Sequence, residues 1–249
     1  KSSAASDVYK RQVYLLCALI AQAEAIDLRL HVAHYNHRWR GKDSTLDADF
    51  VESIAQSFEL PYICGNRSDN EVAFTETTAR TLRLKFLRES AKKLNCEFLI
   101  FGHQLDDIIE TQLQRIARGC SSDGLAAPRP VMPFEGLPTH LRPLLHLRAK
   151  DIRTALKAAS IPWREDSSND DVGIARNALR KKMIPDMANA LGRDPAIGAA
   201  RSRLLLQEDA VALDAISRQL LPEAYAHVPA LERSALCALP PALMRRALT

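Results

Sequence analysis

Short apolar runs alternate along this chain with longer stretches whose apolar residues recur every three or four positions. Residues 28–35 alternate polar and apolar side chains, which predicts a half-buried strand. Residues 60–65 and 96–103 are short apolar runs, which predict buried strands. Between the first two strands, residues 44–59 carry apolar side chains at helical spacing. This order of strand, helix and strand is typical of parallel crossover units.

Further helices follow the same pattern downstream. Residues 75–94 form one, opened by Thr75 as its N-terminal cap. A second helix lies within residues 104–119 and stops at Gly119. A third covers residues 149–160, after a stretch rich in proline that we expect to be a loop. The predicted fold is therefore α/β, a doubly wound parallel sheet of the Rossmann-like kind.

The pattern changes to helix alone near the C-terminus, with one long helix expected from about residue 195 to 221. We therefore expect an α/β catalytic domain over residues 13–186. Residues 187–249 would form a linker helix and the start of a second, mainly helical domain that the chain cuts short.

The polar residues 1–12 do not fit the α/β pattern. From Val13 onward the chain predicts a helix, but no strand and no glycine-rich turn stand before it. We expect these twelve residues to be a non-native tail.

Composition excludes several classes of protein. The chain has 47% hydrophobic and 26% charged residues and a formal net charge of +4, as in a soluble globular protein. Its five cysteines are scattered and include no CxxC pair, which argues against a disulfide framework, a zinc site or an iron–sulfur site. The apolar segment Val13–Ala25 is too short to cross a bilayer, so we expect a cytoplasmic location and no membrane partner.

The strongest chemical signal is the stretch "FGHQLDDIIET" after the third predicted strand. Ligands of open parallel sheets bind at the carboxyl ends of the strands, and His103 lies there. Asp106 and Asp107 begin the next helix, and Glu110 and Thr111 follow one turn on. Two adjacent carboxylates suit a magnesium ion held together with phosphates. Equally, they could simply cap the helix, whose N-terminus favours negative charge.

Four blocks in this order resemble the motifs of the tRNA(Ile)-lysidine synthetases, N-type ATP pyrophosphatases of the PP-loop superfamily. The blocks are "YNHRWRGKDS", "TETTARTLRLKFL", "GHQLDDIIETQLQRIARG" and "LRPLL…IPWREDSSNDDVGIARNALRKKMIP". They cover about residues 28–186. Asn36, Leu84 and Ser167 depart from the family pattern, at positions that we interpret as tolerant.

The resemblance implies a ligase that uses ATP and Mg²⁺ to join free lysine to the wobble cytidine of a tRNA(Ile) with a CAU anticodon. ATP would adenylate the cytosine carbonyl oxygen with release of pyrophosphate, and the lysine amine would then displace AMP. The resemblance leaves a homodimer open.

The same resemblance assigns roles to individual residues. The expected catalytic residues are Asp106, Arg80 and Arg176; the ATP-binding residues are His103, Asp107, Glu110, Thr111 and His37; the metal ligands are Asp106 and Asp107. Substrate or tRNA contacts are expected at Arg83, Arg118, Asn169, Asp171, Asn177 and Arg180. Arginine suits phosphate because it stays charged and binds through two parallel hydrogen bonds. Each arginine could instead lie on the tRNA backbone or the surface, and His103 could be a structural residue at the strand end.

The family's first strand ends in the phosphate-gripping loop S-G-G-x-D-S, and that loop should fall on Asp7–Gln12. Those positions read "DVYKRQ", with no glycine and with Arg11 in place of the aspartate. We interpret residues 2–12 as a translated sequencing adapter, because "DVYKRQ" corresponds to the transposase end GAT GTG TAT AAG AGA CAG. The chain as written should then be inactive.

Two other functions remain as alternatives. One is a thiolating tRNA enzyme of the same superfamily, which the lack of CxxC pairs disfavours. The other is a non-catalytic RNA-binding relative that has lost its phosphate loop.

Overall fold

The computed structural model describes residues 6–68, 75–164, 175–225 and 232–248. The larger helices are α1 (Ser6–Ala23), α2 (Lys42–Ser57), α3 (Glu76–Lys93), α4 (Leu105–Arg118), α6 (Ala149–Ala158), α8 (Ile184–Leu191) and α9 (Pro195–Leu220). The shorter ones are α5 (Ser122–Leu125), α7 (Ala175–Ala178), α10 (Arg233–Cys237) and α11 (Pro241–Ala247), with a π-helical turn at Leu179–Met183 and a 3₁₀ turn at Pro222–Tyr225. The strands are β1 (Val32–Asn36), β2 (Tyr62–Asn66), β3 (Phe98–Ile100), β4 (Val131–Phe134) and β5 (Leu137–Leu141).

In the described part of the chain the strands form two sheets rather than one. Strands β1 and β2 pair in parallel, with Val32 opposite Tyr62. The second sheet has the order β3-β5-β4, in which β3 and β5 are parallel and β4 is antiparallel to β5. Helix α3 packs against β1, β3 and β5, so the two sheets lie side by side beneath one helix. The predicted parallel crossovers are therefore present, but the sheet is divided between β1 and β3.

The hydrophobic core lies where α1 and α6 pack together. Val13 and Leu15 of α1 meet Leu144, Ile152 and Leu156, and all five side chains are buried. Partly buried side chains from α2, β3 and the segment after α6 pack around them. Burying such aliphatic side chains stabilises the fold by about 1.5–3 kcal/mol each.

Helix α1 begins seven residues before the predicted position. The helix starts at Ser6, so the stretch Asp7–Gln12 is helical throughout, and Lys10 and Arg11 are buried. Neither glycine nor proline occurs in these residues to end a helix, and the hydrogen-bonded turns simply extend toward the N-terminus. The predicted non-native tail is thus helical over residues 6–12, and its adapter origin stays a prediction.

The stretch predicted as a proline-rich loop is partly ordered as a hairpin. Strands β4 and β5 are joined by a tight turn in which Gly136 adopts a φ of +65°. Pro133 lies in β4, which is an edge strand with a register shift between Met132 and Phe134. Proline is tolerated at edges and bulges, where no ladder hydrogen bond is required of it. The hairpin could therefore not be predicted from composition alone.

Most other elements agree with the predictions to within a few residues. Thr75 caps α3, accepting a hydrogen bond from the Thr78 amide at 3.1 Å. Helix α4 ends before Gly119. Strand β1 starts four residues later than predicted, and β3 covers only Phe98–Ile100 of its apolar run.

The C-terminal part is helical, as predicted. Helix α9 packs against α4, α5 and α11, which attaches the long helix to the α/β unit. Among the described residues, no helix combines the length and the apolar character needed to cross a bilayer.

Candidate active site

The buried carboxylate of Asp107 is the centre of the candidate site. It lies in the first turn of α4, immediately beyond β3, and is fully buried. Its Oδ2 accepts the Gln104 amide at 2.8 Å, which closes the N-terminus of the helix. The same oxygen lies 2.5 Å from Nη1 of Arg11, and Oδ1 lies 2.7 Å from Nη2 of Arg176. This carboxylate therefore both caps α4 and holds two arginines.

One turn along α4, Glu110 extends the same cluster. Nε of Arg176 donates to Oε2 of Glu110 at 2.6 Å, and Nε of Arg180 donates to Oε1 at 2.7 Å. The two arginines lie four residues apart at the start of one helical segment, so both reach the same acid. The fold thus brings together two sequence motifs that lie far apart along the chain. We call Asp107, Glu110, Arg176 and Arg180 the acid–arginine cluster.

The two acids of this cluster are perturbed in opposite directions. Burial disfavours ionisation of Asp107, but the guanidinium groups of Arg11 and Arg176 hold its pKa below the usual range. Burial raises the pKa of Glu110 to about 7, with the attraction of Arg176 opposing it and the charge of Asp107 adding to it. A neighbouring pair with separated pKa values is typical of a functional site.

The other acid of the pair, Asp106, caps a different helix. Its Oδ2 accepts the Ala149 amide of α6 at 2.8 Å, and Oδ1 lies 3.1 Å from Nη1 of Arg148. Nη2 of Arg148 lies 3.3 Å from Asp194, whose side chain caps α9. Asp106 therefore links the starts of three helices, whereas the acid that caps α4 itself, as the capping alternative expects, is Asp107.

The carboxylate oxygens of Asp106 and Asp107 are all engaged by groups of the chain itself, and the expectation of magnesium at these two residues stays a prediction. Each carboxylate oxygen already accepts a backbone amide or faces a guanidinium. Within the described ranges, no group of three His, Cys, Asp or Glu side chains could hold a metal ion.

His103 lies beside the cluster and is neutral. Burial lowers its pKa to about 3; the charge of Asp107 opposes this, while Arg11, Arg142 and Arg176 add to it. Its Nδ1 is buried without a hydrogen-bond partner. A neutral imidazole with an unused nitrogen suits either a nucleotide contact or a structural role at the strand end, so both alternatives stay open.

A second basic group gathers at the ends of β1 and β2. Burial and the charge of Arg83 lower the pKa values of His34 and His37 to about 4 each. Arg67 also acts on His37. Arg83 is partly buried, whereas Arg80 is exposed on the same helix. The predicted residues His37 and Arg83 therefore lie together at the carboxyl edge of the sheet.

The remaining predicted residues are dispersed. Asn177 is buried next to Arg176, and Thr111 is partly buried on α4. Arg118 is exposed at the last turn of α4, eleven residues from Asp107, which corresponds to about 16 Å along the helix. Asn169 and Asp171 lie outside the described residues.

A cavity of about 420 Å³ adjoins the acid–arginine cluster. Its lining includes three carboxylates and three arginines, namely Asp106, Glu110, Asp194, Arg148, Arg180 and Arg193. Within this lining, Asp106 and Asp194 pair with Arg148, and Glu110 pairs with Arg180. Ile184, Pro185 and Pro195 also line the cavity.

Several residues of the site carry no recognisable sequence signal. Arg148 stands in a basic run that resembles a solvated surface, and its role depends on Asp194, 46 positions downstream. Arg11 belongs to the stretch that the pattern excludes from the fold. His34 could have been noticed, because it alternates with apolar residues within the first predicted strand.

The chain matches the model of a protein family described as the PP-loop domain over residues 12–187. It is 37% identical over 173 residues to a tRNA(Ile)-lysidine synthase of Solibacter usitatus, covering 70% of this chain and 38% of that protein. It is 32% identical over 228 residues to the tRNA(Ile)-lysidine synthase of Thermosynechococcus vestitus, covering 89% and 65%. The chain thus spans between about two fifths and two thirds of the length of these curated relatives.

A solved structure supports the fold. The chain resembles the U34-tRNA thiolase of Methanococcus maripaludis with a TM-score of 0.65 and 12% sequence identity, covering 81% of this chain and 70% of the other. At this identity the likeness concerns the fold alone, and it confirms the predicted Rossmann-like α/β architecture.

Proposed function

Because the chain belongs to the PP-loop domain family, we propose that it is the ATP-using catalytic part of a tRNA(Ile)-lysidine synthase. One observation carries the proposal: the matched range 12–187 contains the whole acid–arginine cluster, and relatives that carry this activity in their names align with most of the chain. The proposed reaction is ligation of free lysine to the wobble cytidine of tRNA(Ile) with a CAU anticodon, at the expense of ATP.

Different residues have different roles in the proposed reaction. Arg176 and Arg180 form a fixed pair of guanidinium groups at the carboxyl edge of the sheet, where negative charge develops as pyrophosphate leaves. Glu110 and Asp107 hold them in place. Arg83 and His37 form the second group at that edge, suited to the nucleotide or the activated base. Arg80, which is exposed, and Arg118 suit the tRNA backbone.

Free lysine is proposed to bind in the 420 Å³ cavity. Its ammonium groups would face the carboxylates of Asp106, Glu110 and Asp194, and its carboxylate would face Arg148 or Arg193. Lysine carries charges of both signs, as does this lining, and it would compete for the carboxylates and guanidinium groups that pair with one another in this structure.

The thiolase alternative is not favoured. The five cysteines are free and scattered, and no pair stands ready to hold a cluster or to relay sulfur. The thiolase likeness extends only to the fold.

The test uses ATP–pyrophosphate exchange, with tRNA(Ile) and lysine present. A variant in which residues 1–12 are replaced by a strand ending in S-G-G-x-D-S should exchange pyrophosphate, whereas the chain as written should not. In that active variant, Arg176→Ala should lower the exchange rate by about 100-fold or more, since a positioned charge at the transition state is lost. The matched control is Arg201→Ala, on the exposed face of α9.

Two results would contradict the proposal. If the chain as written exchanges pyrophosphate, the S-G-G-x-D-S loop is not needed for activity. If the variant with the restored loop binds tRNA but never exchanges pyrophosphate, the non-catalytic RNA-binding relative is the better reading.

A further inference from the structure

Arg148, on the lining of the 420 Å³ cavity, is only partly satisfied by the chain itself. Its Nη1 lies 3.1 Å from Asp106 and its Nη2 lies 3.3 Å from Asp194. Nε and Nη1 nevertheless donate no hydrogen bond, although both atoms are buried. A buried donor without an acceptor costs free energy, and most such groups in proteins are hydrogen-bonded. Arg148 therefore brings to the cavity a guanidinium whose donors are not all satisfied.

A second arginine of the lining, Arg193, has no acid as its partner among the residues that the structure describes. It lies in the turn between α8 and α9, directly before Asp194, which caps α9. Gly192 makes this turn possible, because it ends α8 with a φ of +62°, a conformation that glycine adopts without strain. The turn thus places at the cavity a positive charge that no described acid neutralises.

The acids on the same lining restrict the kind of anion that the two arginines can bind. The lining has three acids and three arginines, so its formal charges balance. A polyphosphate would add several negative charges beside the three acids, and like charges at close range weaken binding. A carboxylate adds a single charge, and its two oxygens match the parallel N–H donors of a guanidinium. A single carboxylate is therefore the group that suits these arginines.

We propose that Arg148 and Arg193 form a carboxylate-binding subsite in this cavity, and that Arg193 is the residue that selects an amino acid over the corresponding amine. For lysine as the ligand, this inference rests on the proposed function and deepens it, because the subsite binds the α-carboxylate that the decarboxylated diamine lacks. None of the residues that line the cavity lies before Asp106, so binding does not depend on residues 1–12.

The test is isothermal titration calorimetry of the chain as written with three probes. Lysine is compared with ε-aminocaproate, which lacks the α-amino group, and with cadaverine, which lacks the carboxylate. Lysine and ε-aminocaproate should bind to the parent chain. In Arg193→Gln the ratio of lysine affinity to cadaverine affinity should fall about tenfold, because a hydrogen bond between charged groups is lost only with the carboxylate ligand. The affinity for ε-aminocaproate should fall by the same factor.

Three controls separate the subsite from general effects. Arg201→Gln removes an exposed arginine of α9 that does not line the cavity, and should leave all three affinities unchanged. Arg193→Lys keeps the charge without the planar fork, and should retain part of the affinity for lysine. The thermal midpoint of Arg193→Gln should equal that of the parent, because Arg193 is exposed and makes no ion pair with a described residue.

The inference is wrong if the ratio of lysine affinity to cadaverine affinity is the same in the parent and in Arg193→Gln, or if neither carboxylate binds to the parent. It is also wrong if Arg193→Gln binds AMP more weakly but lysine equally well, because the arginine then serves a nucleotide. Pyrophosphate exchange by the variant with the restored loop tests the proposed function separately. Exchange with an unchanged ratio would remove the subsite alone, and a changed ratio without exchange would remove the function alone.

Discussion

The charge states of three ionisable residues in the candidate site depend on their burial and on the arginines around them. Asp107, Glu110 and His103 lie within one helical turn of each other or of the strand end; the two acids are buried, and His103 is partly exposed with its Nδ1 buried. Asp107 is ionised because arginines surround it, His103 is neutral because burial and those same arginines disfavour its charged form, and Glu110 is held near the point of titration. The arginines thus keep Asp107 ionised, whereas burial is the larger cause of the shifted pKa values of His103 and Glu110.

His103 should make stability depend on pH in the acid range. Its pKa is about 3 in the folded chain and 6.5 as the ordinary value, so below pH 6.5 the unfolded chain takes up a proton that the folded chain does not. The stabilisation is complete above pH 6.5 and is lost as the pH falls toward 3. His103→Gln should lower the slope of unfolding free energy against pH by about 1.4 kcal/mol per unit in that window.

Urea unfolding at a series of pH values measures this slope. Above pH 6.5 the parent and His103→Gln should have parallel curves, which provides the internal control. If the curves of the parent and His103→Gln are parallel between pH 4 and 6 as well, the imidazole is not held in its neutral form in the folded chain.

At the scale of elements, caps and ion pairs decide where helices begin and how they meet. Asp106 caps α6, Asp194 caps α9, and Arg148 joins the two acids. Helix α9 is therefore attached to the site through charged groups as well as through its packing on α4. Such attachments cannot be read from periodicity, which reports only which face of a helix is apolar.

Thr75 offers the cleanest test of a cap. Thr75→Ala removes the hydroxyl oxygen that accepts the Thr78 amide, and should lower the free energy of unfolding by about 1 kcal/mol. Thr81→Ala is the matched control, because its exposed hydroxyl only bonds to the Thr77 carbonyl within the same helix. Chemical denaturation of both variants measures the difference. Equal stability of the two variants would contradict the role of Thr75 as a cap.

At the scale of the whole molecule, the division of the sheet is the most consequential feature. Strands β1 and β3 each pair on one side only within the described residues, although α3 covers both. Unpaired strand edges leave backbone groups without their usual partners and are a liability in folded proteins. The position between β1 and β3 is where a further parallel strand would join the two sheets.

Adding that strand should stabilise the molecule. An apolar five-residue strand placed before α1 should raise the thermal midpoint and protect the amides of β1 and β3 from hydrogen exchange, because both edges gain partners. A glycine–serine extension of the same length is the control and should do neither. Hydrogen exchange measured by mass spectrometry tests this prediction. If the amides of β1 exchange as fast as before, the added strand has not joined the two sheets.

Local pattern and motif order determined much of this protein. The helices α3, α4, α6 and α9, the α/β class and the family likeness follow from periodicity, caps and short blocks, since these depend on neighbours in the chain. The hairpin β4–β5, the helical start of α1, the contact of Arg11 with Asp107 and the link through Arg148 depended on the tertiary structure. Each of these features requires contacts between residues that lie far apart in the sequence, or the burial of a charge that looks solvated in the sequence. A local sequence pattern does not encode such contacts.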